Sequence, residues 1–133
     1  MILVDSNVLI DLSARESPWR DWSATRLAEA LGRGPVLINP IVYAEVSVSY
    51  STPRLLDKAL NDLGVERAAV PFDAGFLAGR AFASYRRNGG QRARMLPDFL
   101  IAAHAAVHGL ALLTRDPGPC RTYFPTVAVI APE

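Results

Sequence analysis

The chain has 133 residues, of which 50% are hydrophobic and 20% are charged, and this is the composition of a globular protein. A chain of this length buries roughly 68–70% of its unfolded surface, so we expect residues 1–133 to form one domain without disulfides or a structural metal. The net charge of +1 is uninformative as a total, but the single cysteine, Cys120, excludes an internal disulfide and a cysteine-based zinc site.

Apolar runs along the chain predict short strands that alternate with helices. In chain order, we predict a strand at Ile2–Val4, a helix after Ser6, a helix over Pro18–Leu31, a strand at Val36–Ile38, helices over Ile41–Tyr50, Pro53–Leu63, Asp73–Arg87 and Pro97–His108, and strands at Leu110–Thr114 and Val127–Ile130. Short, continuously apolar strands separated by helices are typical of a parallel sheet that is covered on both faces. The sequence therefore predicts a three-layer α/β/α fold with a short, mainly parallel central sheet.

The chain shows no signal for export or membrane insertion. Its first residues lack a basic segment, and Asp5 interrupts the apolar start, so we do not expect a signal peptide. No stretch of about 20 apolar residues is free of charge, so no transmembrane helix is predicted. With a lone cysteine, which favours a reducing compartment, these features predict a cytoplasmic protein.

Four acidic residues stand at the edges of apolar segments, where a charge is costly to desolvate. Asp5 follows the first strand, Glu45 interrupts an apolar stretch, Asp98 precedes an apolar run, and Asp116 follows a late strand. Ligands of parallel sheets bind beyond the carboxyl ends of the strands, and helices that follow strands begin at that same edge. All four acids can therefore converge there, and four adjacent carboxylates repel each other unless a divalent cation lies between them.

Each of these acids also has a structural explanation. Asp5 and Asp98 are suited to capping helices, and Asp116 begins an ordinary turn with Pro117 and Gly118. Glu45 is harder to explain in this way, because Ile41 and Ser49 rather than a cation stand one helical turn before and after it. Because four such coincidences are needed together, the pattern favours a metal site, and carboxylates without cysteine favour Mg²⁺ or Mn²⁺ over zinc.

The acids lie in four segments with distinctive neighbours, namely Asp5–Asp11, Tyr43–Val46, Pro97–Ala105 and Leu113–Asp116, and a tail Tyr123–Pro125 precedes the last apolar strand. In this order the segments resemble the PIN-domain nucleases, and most closely the VapC-type toxins of prokaryotic toxin–antitoxin pairs. The resemblance spans nearly the whole chain, and no acid of the family pattern is missing. It implies a PIN-like fold, Mg²⁺ or Mn²⁺ as cofactor, cleavage of RNA, a homodimer and a cognate antitoxin.

Under this interpretation, the catalytic residues are Asp5, Glu45, Asp98 and Asp116, and the three aspartates are the principal metal ligands. Metal-bound water would attack a phosphodiester, while Glu45 would ligate directly, act through water or accept a proton. Ser6, Asn7 and Thr114 are candidate donors that would orient the carboxylates, although a helix cap or a strand-end hydroxyl explains them equally well. The resemblance further implies products with 5′-phosphate and 3′-hydroxyl ends.

Residues 74–97 contain no acid but five arginines, which we predict to contact RNA phosphates or an acidic antitoxin segment: Arg80, Arg86, Arg87, Arg92 and Arg94. A solvated helix face explains them as well. His104 and His108, one helical turn apart, are predicted to pack as buried or half-buried residues, and Asp11 is predicted to be a solvated helix acid. Trp19 and Trp22 suit either a partner groove or the core.

Three other functions remain open on the sequence alone. A catalytically silent PIN-like module that binds RNA or protein would keep the fold, but the intact acids argue against it. A receiver-like Mg²⁺-binding signalling domain would need a second acid beside Asp5 and a lysine after a late strand, whereas the only lysine is Lys58. A haloacid-dehalogenase-like phosphatase would need an acid at position 7, which is Asn7.

Overall fold

The computed structural model describes all residues 1–133 and contains one sheet of five strands and seven helices. The strands are β1 (Ile2–Val4), β2 (Val36–Ile38), β3 (Glu66–Arg67), β4 (Ala111–Leu113) and β5 (Val129–Ile130). The helices are α1 (Ser6–Ser13), α2 (Arg20–Arg33), α3 (Pro40–Ser47), α4 (Pro53–Leu63), α5 (Phe72–Arg87), α6 (Met95–His108) and α7 (Gly118–Tyr123).

The strands are arranged in the order β3-β2-β1-β4-β5, and every neighbouring pair is parallel. Strand β1 therefore lies in the centre, with β2 on one side and β4 on the other. Its three residues are all buried, which explains why it reads as a continuous apolar run rather than an alternating one. The predicted α/β/α fold with a short parallel sheet is confirmed.

A core of 29 buried hydrophobic residues joins the sheet to the helices, and α6 contributes the largest share of it. Phe99 of α6 is fully buried, and the rings of Phe82, Tyr85, Tyr123 and Phe124 surround it at centroid distances of 5.2 to 6.4 Å. Removal of this ring would cost about 3–5 kcal/mol. The aromatic cluster fixes the start of α6, which carries Asp98.

Several boundaries differ from the predicted ones. Helix α6 begins at Met95, two residues before Pro97, because a proline in the first turn gives up an N–H that has no helical acceptor. Asp98 consequently lies inside the first turn, so the alternative explanation that it caps the helix does not hold. Strand β5 is shorter than the predicted Val127–Ile130.

Two elements were not predicted at all. The edge strand β3 consists of two exposed, charged residues, so it carries no apolar signal. Helix α7 starts with Gly118, which the sequence analysis assigned to a turn with Asp116 and Pro117. None of the seven helices combines the length and the apolar character needed to cross a membrane.

Candidate functional site

The carboxyl edge of the sheet brings Asp5 beside the end of β4. Val4 pairs with Leu113, and the Asp5 backbone N–H donates to the Leu113 carbonyl at 2.9 Å. Thr114, the residue that follows β4, donates its hydroxyl to Asp5 Oδ2 at 2.8 Å. Because β1 and β4 are neighbours, Asp5 and Asp116 follow the ends of adjacent strands.

Three of the predicted acids, Asp5, Asp98 and Asp116, line one small cavity of about 30 Å³. A water molecule needs about 10–15 Å³ by this measure, so the cavity has room for a water or an ion of similar size. Asn7 and Cys120 complete much of its wall. Glu45 does not line this cavity, although it reaches the same edge of the sheet from α3.

Asp5 is held in one orientation by three donors. Besides Thr114, the backbone N–H of Ser6 donates to Asp5 Oδ1 at 2.7 Å, so Asp5 is also the N-cap of α1. The side-chain amide of Asn7 lies 3.5 Å from Asp5 Oδ2 and 3.2 Å from the Thr114 hydroxyl. Burial raises the pKa of Asp5, the hydrogen bonds from Thr114 and Ser6 offset part of the rise, and the charge of Glu45 adds to it.

Ser6 connects Glu45 to this arrangement. Its hydroxyl donates to Glu45 Oε1 at 2.9 Å, which joins the start of α1 to the second turn of α3. Helix α3 begins at Pro40 after Asn39, whose side-chain oxygen accepts the Val42 N–H at 2.9 Å. The half-buried Glu45 carboxylate, for which the sequence offers no ion pair within its own helix, therefore accepts a hydrogen bond from a hydroxyl of another helix.

Asp98 is affected by burial and by all three of the other acids. Burial and then the charges of Asp5, Glu45 and Asp116 raise the pKa of Asp98 from 3.8 to about 6, and Arg92 opposes the rise. Asp116 is exposed, and its backbone N–H donates to the Thr114 hydroxyl at 3.1 Å. The site thus carries more negative charge than its protein surroundings neutralise.

The donor set of the site fits a hard divalent cation. As the side chains stand, no group of three or more Asp, Glu, His or Cys side chains is close enough to enclose a metal ion. The three aspartates nevertheless face one cavity with oxygen donors only, which is the donor type that Mg²⁺ and Mn²⁺ prefer. Burial, with a further contribution from Asp5, raises the pKa of the Cys120 thiol to about 11, so this wall residue is a neutral thiol in the metal-free protein.

Asp11, predicted to be a solvated helix acid, is instead buried, with 2% of its surface exposed. Arg115 forms two hydrogen bonds to its carboxylate, and the hydroxyls of Ser17 and Ser23 donate two more. The amphipathic pattern of α1 gave no sign of this. The only signal of a partner for Asp11 was Arg115. This arginine stands between an apolar strand and a predicted ligand, and the only acid beside it in the sequence is Asp116.

The five arginines of residues 74–97 all have exposed side chains. The guanidinium of Arg80 lies 5.0 Å from the ring centre of Phe76, and that of Arg86 lies 5.9 Å from the ring centre of Phe82. Arg92 is close enough to lower the pKa of Asp98. The five arginines lie between the middle of α5 and the start of α6, and Arg92 among them lies near the acidic cavity.

The two histidines differ in their surroundings. His104 is fully buried, and its Nδ1 accepts a hydrogen bond from the Asn39 side-chain amide at 3.0 Å, as predicted for a packed residue. His108 is exposed, so the prediction that it would be buried or half-buried is wrong. Trp19 and Trp22 form an edge-to-face pair at 6.2 Å, with Trp22 packed against the core and Trp19 36% exposed.

Comparison with known proteins identifies the family. The sequence profile of the PIN domain matches residues 2–125, and the chain belongs to the PIN domain family. This finding confirms the resemblance deduced from the acidic segments. No curated protein sequence matches the chain.

Solved structures share the fold over nearly the full length. A chain of a toxin–antitoxin complex from Klebsiella pneumoniae is 26% identical, with a TM-score of 0.62, and the match covers 100% of this chain and 98% of that one. VapBC2 from Rickettsia felis, bound to a DNA fragment from its promoter, gives 19% identity, a TM-score of 0.71 and full coverage of both chains. FitAcB from Neisseria gonorrhoeae gives 22% identity and a TM-score of 0.67, over 98% of this chain and 96% of that one.

Proposed function

We propose that this protein is a metal-dependent endoribonuclease and the toxin of a toxin–antitoxin pair. The observation that carries the proposal is the convergence of Asp5, Asp98 and Asp116 on one cavity of a PIN fold, with the pKa of Asp98 raised in part by neighbouring carboxylates. A cluster of acids that raise each other's pKa is costly to keep unless a bound cation offsets their repulsion.

In this proposal, Asp5, Asp98 and Asp116 hold Mg²⁺ or Mn²⁺ through their carboxylate oxygens. When bound, such an ion lowers the pKa of a coordinated water and stabilises charge that develops on a phosphodiester. The protein supplies the orientation of the ligands, because Thr114, Ser6 and Asn7 already direct hydrogen-bond donors at Asp5.

Glu45 has a separate role in the proposal. It does not line the cavity of the three aspartates, and the Ser6 hydroxyl holds its carboxylate at 2.9 Å. A carboxylate set back in this way is suited to accept a proton from attacking water or to contact the ion through water rather than directly. We therefore assign Glu45 to proton transfer and the aspartates to metal binding.

The substrate and the partners follow from the charge of the surrounding surface and from the related complexes. Arg92 is exposed and close enough to the acidic cavity to lower the pKa of Asp98. Arg86, Arg87 and Arg94 are exposed in the same segment of the chain, where they would contact RNA phosphates. Toxin–antitoxin complexes among the similar structures support a cognate antitoxin as partner. A homodimer is the assembly that the family resemblance implies, and the single free cysteine is compatible with a cytoplasmic location.

The experiment that tests the proposal is cleavage of a mixed RNA pool by the purified protein without its partner. Reactions contain Mg²⁺, Mn²⁺ or EDTA, and they compare the wild type with Asp98→Asn and with Asp73→Asn, an exposed α5 carboxylate remote in sequence from the acidic segments. We expect metal-dependent cleavage by the wild type and Asp73→Asn, and none by Asp98→Asn. Mn²⁺ binding without any cleavage would instead favour a silent PIN-like binding module.

A further inference from the structure

We propose that Asp11 is a positioning residue that fixes the metal ligand Asp116 through the guanidinium of Arg115. The inference rests on the proposed function, because it assigns Asp116 to the metal site. It gives a role to a buried ion pair that the proposed reaction does not itself use, and its basis is the set of contacts around residues 114–116.

The Asp11 carboxylate is fully satisfied by four donors. Arg115 Nε donates to Oδ2 at 2.9 Å and Nη2 donates to Oδ1 at 3.0 Å, which is the two-point arrangement that fixes a guanidinium in its plane. Ser23 donates to Oδ2 at 2.7 Å and Ser17 to Oδ1 at 3.0 Å. The Arg115 guanidinium also lies 5.8 Å from the ring centre of Trp19, so its position is restricted from a second side.

Burial raises the pKa of Asp11, but the hydrogen bonds from Arg115, Ser23 and Ser17 outweigh burial and leave the pKa below its ordinary value. The carboxylate is therefore ionised throughout the neutral range. A buried ion pair is weak evidence for stability, because its desolvation cost offsets much of the attraction. The Asp11–Arg115 pair instead fixes the direction in which the chain runs at Arg115.

The Asp116 side chain depends on that direction because it has no anchor of its own. Its carboxylate is exposed and accepts no hydrogen bond from another protein group. Instead, the backbone that leads to it is held: the Arg115 N–H donates to Asn7 Oδ1 at 3.1 Å, and the Asp116 N–H donates to the Thr114 hydroxyl at 3.1 Å. The Arg115 side chain adds a further constraint next to Asp116.

Helix α1 connects both ends of the arrangement. Asp5 caps the start of α1, and Asp11 lies on the same helix, so the helix fixes the separation between Asp5 and the anchor of Arg115. Thr114 contacts Asp5, the Arg115 backbone contacts Asn7 and the Arg115 side chain contacts Asp11, so the segment that carries Asp116 is attached to α1 and its cap at three points. These contacts set the distance between Asp5 and Asp116, two proposed ligands that follow the ends of different strands.

The test measures Mn²⁺ affinity by titration calorimetry and thermal unfolding in parallel, for Asp11→Asn, Arg115→Lys and the double variant. Loss of groups that orient ligands typically costs 10–100-fold in metal affinity or activity, so we expect each single variant to weaken Mn²⁺ binding by about tenfold. Both changes break the same Asp11–Arg115 ion pair. We therefore expect the Mn²⁺ affinity of the double variant to be no lower than that of the single variant with the lower affinity. Arg115→Lys keeps the charge at a half-buried position and provides a folded variant if Asp11→Asn does not fold.

The matched control is Asp57→Asn. Asp57 also accepts hydrogen bonds from an arginine and a hydroxyl, Arg67 at 2.7 Å and Tyr43 at 2.8 Å, but on α4, away from the cavity. A merely structural ion pair would lower the unfolding temperature of any of these variants and leave the Mn²⁺ affinity of the folded protein unchanged. Only the Asp11 and Arg115 variants are expected to change that affinity.

The outcomes separate the two proposals. Mn²⁺ affinity of folded Asp11→Asn and Arg115→Lys within twofold of the wild type would overturn the positioning role and leave the nuclease proposal standing. A wild type that binds Mn²⁺ but cleaves no RNA would refute the nuclease and still allow the affinity test. If the wild type binds no Mn²⁺, the metal site itself is refuted, and the positioning role with it.

Discussion

Replacement of Asp98 with Asn is expected to stabilise the metal-free protein while it removes the proposed metal site. Burial and the charges of Asp5, Glu45 and Asp116 raise the pKa of Asp98 from 3.8 to about 6. Above pH 6 the folded protein keeps a charge that its surroundings disfavour, and the neutral amide of Asn removes that charge with little change in shape. The expected gain is the free energy that corresponds to this pKa difference.

The magnitude follows from the pKa values. A difference of about two pKa units corresponds to about 3 kcal/mol at 1.36 kcal/mol per unit, and this is an upper value because the site can relax. A gain of about 1–3 kcal/mol would raise the unfolding temperature of a chain of this size by roughly 4–10 °C. Because the folded pKa of Asp98 is the higher one, the destabilisation is absent below the unfolded pKa of 3.8, grows as the pH rises and is complete above about pH 6.

The assay is thermal unfolding of the wild type, Asp98→Asn and Asp73→Asn in EDTA at several pH values between 4 and 8. Asp73→Asn makes the same change in net charge at an exposed position, and it is expected to shift the free energy of unfolding by less than about 0.5 kcal/mol. Added Mn²⁺ should stabilise the wild type but not Asp98→Asn, which would reverse their order. Equal or lower stability of Asp98→Asn in EDTA at pH 7.5 would refute the argument from charge repulsion.

Three further predictions concern residues other than the four acids. If Arg86 and Arg92 contact phosphates, replacement of either by Gln weakens RNA binding for all sequences and lowers the slope of log affinity against log salt by about 0.7, and an unchanged slope in a fluorescence titration would exclude the contact. The buried Cys120, with its pKa raised to about 11 by burial and by Asp5, should react with iodoacetamide only as the protein unfolds, so the labelling rate should follow the denaturant curve, and fast labelling of the native protein would contradict this expectation. Burial, assisted by the charge of His108, lowers the pKa of His104 below 6.5, so the stability that its neutral form supports is complete above pH 6.5 and is lost at lower pH as the unfolded state gains a proton. In chemical denaturation, His104→Gln should therefore lose less stability than the wild type between pH 7 and pH 5.5. An equal loss would show that another group is responsible.

The parts of the fold that the sequence predicts are those with a strong local pattern. Strands β1, β2 and β4 are short apolar runs because both faces of the sheet are covered, and α4 shows its cap and its end in the residues Thr52 and Gly64. Gly64 adopts φ 86°, which other residues rarely adopt. These features depend on residues that are close together in the sequence, so a single sequence is enough to predict them.

The missed features depend on tertiary contacts. Strand β3 exists because β2 offers it an edge, not because Glu66 and Arg67 favour a strand. Asp11 looked solvated because its partner, Arg115, is 104 residues away in the sequence. The four acids could be predicted as a set only because each interrupts an apolar segment, whereas their hydrogen bonds to Ser6 and Thr114 required the structure.

The central position of β1 has a consequence for the time at which the site first exists. The hydroxyl of Thr114 contacts Asp5, which lies 109 residues earlier in the sequence. Strand β4 can insert beside β1 only after every earlier element has been made. A chain still on the ribosome with its β4 segment unreleased therefore has Asp5 and Glu45 but neither Asp116 nor the support of Thr114. Under the proposed function, cleavage would begin only after β4 docks, so the chain would stay inactive during its own synthesis.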